Sequence, residues 1–159
     1  MRFFMAMTSA GQSLPFRDFP GAGDSTRLRP LIVSDNAPFF KGLQEGRILL
    51  QKCTACRRLR SPPVPCCPWC FNAAHEWVEA SGEGSVHSWT RYHKAFLSEF
   101  APLLPYAVVA AALVEGPIVY GRLVIDTALL TIGMPLSAMV ERWQDGFCSL
   151  AFTPKGADR

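Results

Sequence analysis

From Ser34 onward the apolar residues recur first at helical spacing and then at the shorter period of strands. Phe39, Phe40 and Leu43 fall on one helical face. Ser34-Asp35-Asn36 supplies N-cap chemistry before them and Gly46 a stop after them, which predicts a helix to about Glu45. RILLQ, Arg47 to Gln51, reads as a strand leading into the first cysteine pair. HEWVEASGEGSVHSWTRYH alternates polar and apolar residues, with Gly82 and Gly84 as a break or bulge. YAVVAAALV is a buried strand closed by the turn Glu115-Gly116-Pro117, and IVYGRLVI is the next, with a bend at Gly121. LTIGMP reads as a turn, and SAMVERW and FCSLAF form a last hairpin across Gln144-Asp145-Gly146. Turn signals every ~8–12 residues indicate a small closed β structure, and the OB-fold is the barrel that best matches the strand count. The expected class is mainly β, with an N-terminal helix and a C-terminal OB-fold barrel.

Two segments lack this order. Residues 1–33, rich in Gly, Pro, Ser and Arg, show no usable periodicity and read as a flexible arm, mobile or ordered by a partner. Lys94 to Pro105 has aromatics and prolines but few strand signals. The expected division is an arm over 1–33, a helix with a metal ribbon over 34–78, the barrel over 79–154 and a tail over 155–159.

Composition narrows the class. At 159 residues and 49% hydrophobic, the chain is long enough for one real core. A charged fraction of 18% is low for a free-standing soluble protein and points to surface covered by a partner. The net charge of +3 is mild for a dedicated nucleic-acid binder. No apolar run reaches the ~18 residues of a membrane span, and the opening MRFFMAMTSA is too short for a secretory core. The expected location is cytoplasmic.

The strongest chemistry lies in four cysteines. Cys53-x2-Cys56 and Cys67-x2-Cys70, ten residues apart, form two knuckles that can offer a tetrahedral set of thiolates. Such a set saturates an ion and leaves no position for water or substrate, so the expected cofactor is a structural Zn(2+). Iron would accept the same ligands, but no second redox motif accompanies them. Only the 67/70 pair preserves a knuckle, so Cys66 reads as a small apolar residue beneath the ribbon, Cys148 as core and His75 as a polar surface residue.

The run FFKGLQEGRILLQKCTACRRLRSPPVPCCPWC, followed by EW, GEGSVHSWT, PYAVVAAALVEG and LTIGMPL, resembles the domain of unknown function 35 (DUF35) family. The resemblance covers about residues 34 to 153 and implies a helical start, a rubredoxin-like zinc ribbon and an acyl-CoA-associated OB-fold. It also implies an accessory role: family members pair with thiolase-superfamily acyltransferases, synthases or steroid side-chain aldolases, and the partner carries the catalytic residues. The partners are usually dimeric, so a two-plus-two complex is expected. Two departures stand out. Arg57 replaces the Gly that usually follows the first knuckle, and Val64 replaces the Arg that usually follows the proline pair.

No nucleophile elbow, phosphate loop or dinucleotide fingerprint occurs, so no catalytic residue is assigned. By alternation His87, Trp89, Arg91 and His93 share one strand face, and Ser88, Thr90 and Tyr92 the other. KAFLSEFAPLLPY reads as an apolar loop that either docks on a partner or folds over the barrel end. Trp89, Tyr92, His93, Phe96, Phe100 and Tyr106 are therefore candidates for contact with a partner or an acyl-CoA. The cluster Arg47, Lys52, Arg57, Arg58 and Arg60 either attracts phosphates or solvates the ribbon and offsets its thiolates. An OB-fold binding single-stranded nucleic acid is the alternative function. It is disfavoured because no stacking platform lines the strands.

Overall fold

The computed structural model describes residues 13–21, 23, 29–125 and 130–156. Strand β1 is Phe16–Asp18, followed by helix α1 (Ala37–Gln44), β2 (Ile48–Cys53), β3 (Leu59–Arg60) and β4 (His75–Ala80). Then come β5 (Glu83–Tyr92), a 3-10 helix (Ser98–Leu103), β6 (Tyr106–Leu113), β7 (Ile118–Leu123), β8 (Pro135–Arg142) and β9 (Cys148–Pro154). No described helix is long and apolar enough to cross a membrane.

Two sheets result. β3, β2 and β4 form a small antiparallel sheet that carries the cysteine knuckles. β5, β6, β7, β9 and β8 close into a five-stranded barrel: β7 runs parallel to β9, and β8 pairs with both β9 and β5. This is the OB-type closure expected from the strand count. Every second residue of β6 enters the core, with Ala107, Val109, Ala111 and Leu113 all buried. The two alanines among them leave room at the narrow axis for Phe152 from β9, which is fully buried. The bend expected at Gly121 has a concrete cause. A Cβ there would lie 2.8 Å from the Leu150 carbonyl oxygen and 2.9 Å from the Phe152 ring.

The helix packs on both sheets. Leu43 is buried in the same cluster as Ile48 and Leu50 of the ribbon and Val140 and Phe152 of the barrel, with Phe39 and Phe40 against its edge. Ribbon and barrel therefore share one core. The helix ends as its glycine requires: Gly46 has φ of 73°, and Arg47 N donates to the Gly42 carbonyl at 2.8 Å. At the other end Asn36 does not cap α1 through its side chain. It staples the incoming segment instead, accepting from Val33 N at 2.8 Å and donating to the Leu31 carbonyl at 3.0 Å.

Two expectations need correction, and one open choice is settled. The segment read as an arm without order contains β1, which lies parallel to β8 with Phe16 opposite Val140. Leu14 N donates to the Gly46 carbonyl at 2.7 Å, and buried Phe19 stacks on Trp143 with ring centroids 3.6 Å apart. A three-residue edge strand is too short for alternation to register. The alternating stretch over 75–93 breaks at Gly82 (φ 80°) as read, into two strands of different sheets, but its bulge lies between Val86 and Ser88 rather than at Gly84. His87 is the extra residue there, so Trp89 and Arg91 keep a common face without it. Of the two readings of the loop over 94–106, folding over the barrel end fits most of its large apolar residues, and among these only Phe96 is exposed, at 78%. Phe100 packs edge-on against Phe19 and Trp143 and lies 4.9 Å from the Tyr106 ring.

Barrel and N-terminal strand meet at a buried ion pair. Glu141, only 1% exposed, accepts from Arg122 Nε at 3.0 Å and from Arg122 Nη2, and Arg17 of β1 stands 3.8 Å away. Replacing Arg122 by Met removes both hydrogen bonds to that carboxylate and leaves it only the more distant Arg17, which is expected to cost about 3–5 kcal/mol. The double variant Arg122→Met/Glu141→Leu should recover most of the loss. Urea unfolding of the three proteins checks this, and equal stability of both variants would show that the pair does not hold the barrel end.

Candidate metal centre

Each CxxC sequence folds into the same turn. After Cys53 the chain reverses so that Arg57 N donates to the Cys53 carbonyl at 3.0 Å, and Phe71 N does the same to Cys67 at 2.8 Å. Cys53 N and Cys67 N in turn donate to the carbonyls of Arg58 and Asn72, at 3.0 and 2.9 Å. The residue after each second cysteine is left-handed: Arg57 has φ of 62° and Phe71 of 58°. That conformation suits glycine. The departure noted at Arg57 therefore keeps the turn geometry at a local cost, and Phe71 shows that the second knuckle does the same.

The two knuckles face each other. The four Sγ atoms of Cys53, Cys56, Cys67 and Cys70 all lie within 4.8 Å of one another. Cys53 to Cys70 is 3.6 Å and Cys56 to Cys67 is 3.5 Å. A tetrahedral ion with metal–sulfur bonds of about 2.3 Å holds its sulfurs about 3.8 Å apart, whereas a disulfide needs about 2.05 Å. The spacing fits a shared ion and excludes disulfides, and all four cysteines are free.

The thiols are primed for a cation. Amide N–H groups of Cys56 and Ala55 outweigh burial and lower the Cys53 thiol. At Cys67 burial opposes ionisation, but the amides of Trp69 and Cys70 together with neighbouring thiols bring the group down to about 6. Cys70 receives the Asn72 amide, yet burial and the surrounding sulfurs push it up to about 11. Four sulfurs this close cannot all be anionic without a positive centre, and a divalent ion supplies it. With four protein ligands it would have no open coordination position, so its chemistry is structural. Cys66 is exposed rather than buried beneath the ribbon, and Cys148 is core, both outside the cluster.

A polar network supports the ribbon from behind. Buried Gln51 Oε1 accepts from Arg60 Nε at 2.7 Å and from Val64 N at 3.0 Å. Its Nε2 lies 3.2 Å from His75 Nε2, while His75 Nδ1 is 3.0 Å from the Ala73 carbonyl. The carbonyl only accepts, so Nδ1 carries the proton and Nε2 accepts from Gln51. His75 is thus a half-buried strut, not the free surface residue expected. Val64, where the family pattern has Arg, holds its place through the main chain. The sequence offered one sign of this network, a glutamine in the middle of an apolar strand.

The other candidates gather elsewhere. Tyr92 stacks on Tyr106 at 4.8 Å, Tyr106 meets Phe100, and Trp89 is half-buried against the barrel core. His93 and Phe96 remain exposed. Among the described residues this group contains no nucleophile–base pair.

Metal removal should unfold the ribbon. We expect Cys67→Ser to lose the ion and to lower the thermal midpoint, as a chelator would with the wild-type chain, while Cys66→Ser retains both ion and midpoint. Elemental analysis alongside thermal unfolding checks this. Equal metal content in both variants would contradict the ligand assignment.

Comparison with known proteins places this geometry. Residues 40–76 match the model of the ChsH2 rubredoxin-like zinc ribbon domain, and residues 77–141 that of the ChsH2 C-terminal OB-fold domain. The chain is 40% identical over 111 residues to a Thermomonospora curvata protein named "Probable enoyl-CoA hydratase alpha subunit". It is 30% identical over 112 residues to the 3-oxo-4,17-pregnadiene-20-carboxyl-CoA hydratase alpha subunit of Mycobacterium tuberculosis. These matches take in 69% and 70% of this chain but only 34% and 35% of the relatives, so it spans about a third of their length. Among solved structures, a chain of the Ltp2-ChsH2(DUF35) aldolase superposes with a TM-score of 0.73 at 35% identity, covering 79% of this chain and 98% of that one. A DUF35 protein of unknown function from Sulfolobus solfataricus shares the fold, with a TM-score of 0.57 at 18% identity over 82% and 92% of the two chains. With its cysteine quartet, ribbon and barrel in the matching order, this chain belongs to the DUF35 family of ChsH2-type zinc-ribbon and OB-fold proteins.

Proposed function

We propose that this protein is the non-catalytic accessory subunit of a thiolase-superfamily acyl-CoA enzyme, in the setting of acyl-CoA or steroid side-chain metabolism. The observation that carries this reading is the near-complete coverage of the chain from the Ltp2-ChsH2(DUF35) aldolase, whose name joins two components. The saturated sulfur site and the lack of a nucleophile–base pair among the described residues agree with a supporting role. So does exposed apolar surface such as Phe71 and Phe96, which a partner would cover. The ion is zinc, which suits four thiolates and needs no redox partner. The complex is cytoplasmic and two-plus-two, with the helix and ribbon (34–78) and barrel (79–154) as its working parts. The acyl-CoA lies at the shared interface near Trp89, Tyr92 and Tyr106. The hydratase activity named for the two longer relatives belongs to proteins of which this chain spans a third.

The tagged chain, isolated from its native host, should bring down a thiolase-like chain in a roughly one-to-one ratio. Carbon–carbon bond chemistry on an acyl-CoA should require both chains. Recovery of the chain alone, or turnover of an acyl-CoA without a partner, would overturn the proposal. A salt-sensitive shift of single-stranded DNA would instead favour the nucleic-acid alternative.

A further inference from the structure

On one side β8 has an incomplete neighbour. β9 pairs with it along its whole length, whereas β5 pairs only over Pro135 to Ser137 and continues along β6 alone. The far part of that edge would stand open, and an open edge invites another strand. Here β1 fills it, running parallel against Val140 to Arg142. Val140 N donates to the Pro15 carbonyl at 2.9 Å, and Phe19 N donates to the Arg142 carbonyl at 2.8 Å.

The filling strand is short by construction. Pro15 and Pro20 flank it, and neither has an N–H with which to lengthen the ladder. Phe16 and Asp18 are exposed, so the strand is anchored at its ends, by Leu14 against the core and by buried Phe19. Phe19 stacks on Trp143 and meets Phe100 edge-on at 5.4 Å, while the Arg142 guanidinium lies 4.6 Å over the Phe16 ring. Beyond the anchor the chain passes close to the 3-10 helix: a Cβ at Gly21 would stand 2.3 Å from the Glu99 carbonyl oxygen. Both matched family domains begin at residue 40 or later, so the strand lies ahead of them. It nevertheless covers one end of a continuous aromatic row, which runs from Trp143 through Phe100 and Tyr106 to Tyr92.

We propose that β1 is a displaceable strap, bound in cis to a strand-accepting groove of the barrel, and that an extended segment of the catalytic partner takes its place in the complex. The strap shows what the groove accepts. It is an extended chain parallel to β8, with two aromatic side chains three positions apart, one beneath Arg142 and one on Trp143. Exchange of one strand for the other keeps the β8 edge paired throughout and leaves the aromatic row uncovered only where the partner covers it. The groove and the strap stand on this chain's own contacts, whereas the source of the incoming strand rests on the accessory-subunit reading.

A labelled peptide with the sequence of Ser13–Pro20 tests the groove on the metal-loaded full chain. Gly21→Ala, through its clash with Glu99, and Phe19→Ala, through loss of the anchor, should each free the strap with metal content unchanged. Fluorescence anisotropy should show the peptide binding each variant one to one, and the wild type about tenfold more weakly because the cis strand competes. A peptide with both phenylalanines replaced by alanine should not bind. Equal binding to wild type and variants, or no binding to either variant, would overturn the strap. Hydrogen exchange at two amides then tests the exchange of strands. In the free chain both Phe19 and Val140 should be protected; in the complex isolated from the native host Phe19 should lose protection while Val140 keeps it. Protection of Phe19 in the complex would overturn displacement. If no thiolase-like chain is recovered, the accessory-subunit reading fails and the incoming strand with it, while peptide binding still decides the groove.

Discussion

Four sulfur atoms held within 4.8 Å of one another are the constraint on which the ribbon depends. Two short turns bring them together, and amide N–H groups favour the thiolate in each turn, so charge accumulates where the chain has little core to resist it. A metal ion turns that repulsion into the bond that joins the turns. The small β2–β3–β4 sheet sets Ile48, Leu50 and Ala80 into the core it shares with the barrel, while the shape of the knuckles at its end is fixed by coordination.

The barrel is stabilised differently, and the helix joins the two regimes. Leu43 packs into a cluster that takes in Ile48 and Leu50 from the ribbon and Val140 and Phe152 from the barrel. Gln51 carries the ribbon's polar side: one amide ties Arg60, the Val64 main chain and His75 together behind the cysteines. The N-terminal strand adds a third tie, through Phe19 on Trp143 and Arg17 beside the Arg122–Glu141 pair. These ties leave a molecule with a fixed ribbon face and a closed barrel joined through one core.

Much of this was legible from the residues. The cysteine spacing gave the metal ligands because a knuckle is a local structure, set by a handful of adjacent residues. The helix and the barrel strands were legible for a similar reason: Phe39, Phe40 and Leu43 mark a helical face, and turn residues such as Glu115-Gly116-Pro117 and Asp145-Gly146 punctuate the strands. What escaped depends on distant partners. β1 is a strand only because β8 offers it an edge, and three residues carry no period of their own. The bulge at His87 comes from the need of β5 to curve while pairing with both β6 and β8. Phe100 had no fixed place in the sequence reading because nothing in its neighbourhood of sequence announced that Phe19, eighty residues away, would pack edge-on against it. Arg60 and Gln51 likewise meet only through the pairing of β2 with β3.

The account rests on a closed coordination sphere, and X-ray absorption at the metal edge of the native protein reads that sphere most directly. Four sulfur scatterers at about 2.3 Å with no oxygen or nitrogen neighbour is the expected spectrum. A light-atom ligand, a vacant position, or no bound metal would contradict a purely structural centre and return the ribbon to consideration as a place where chemistry occurs.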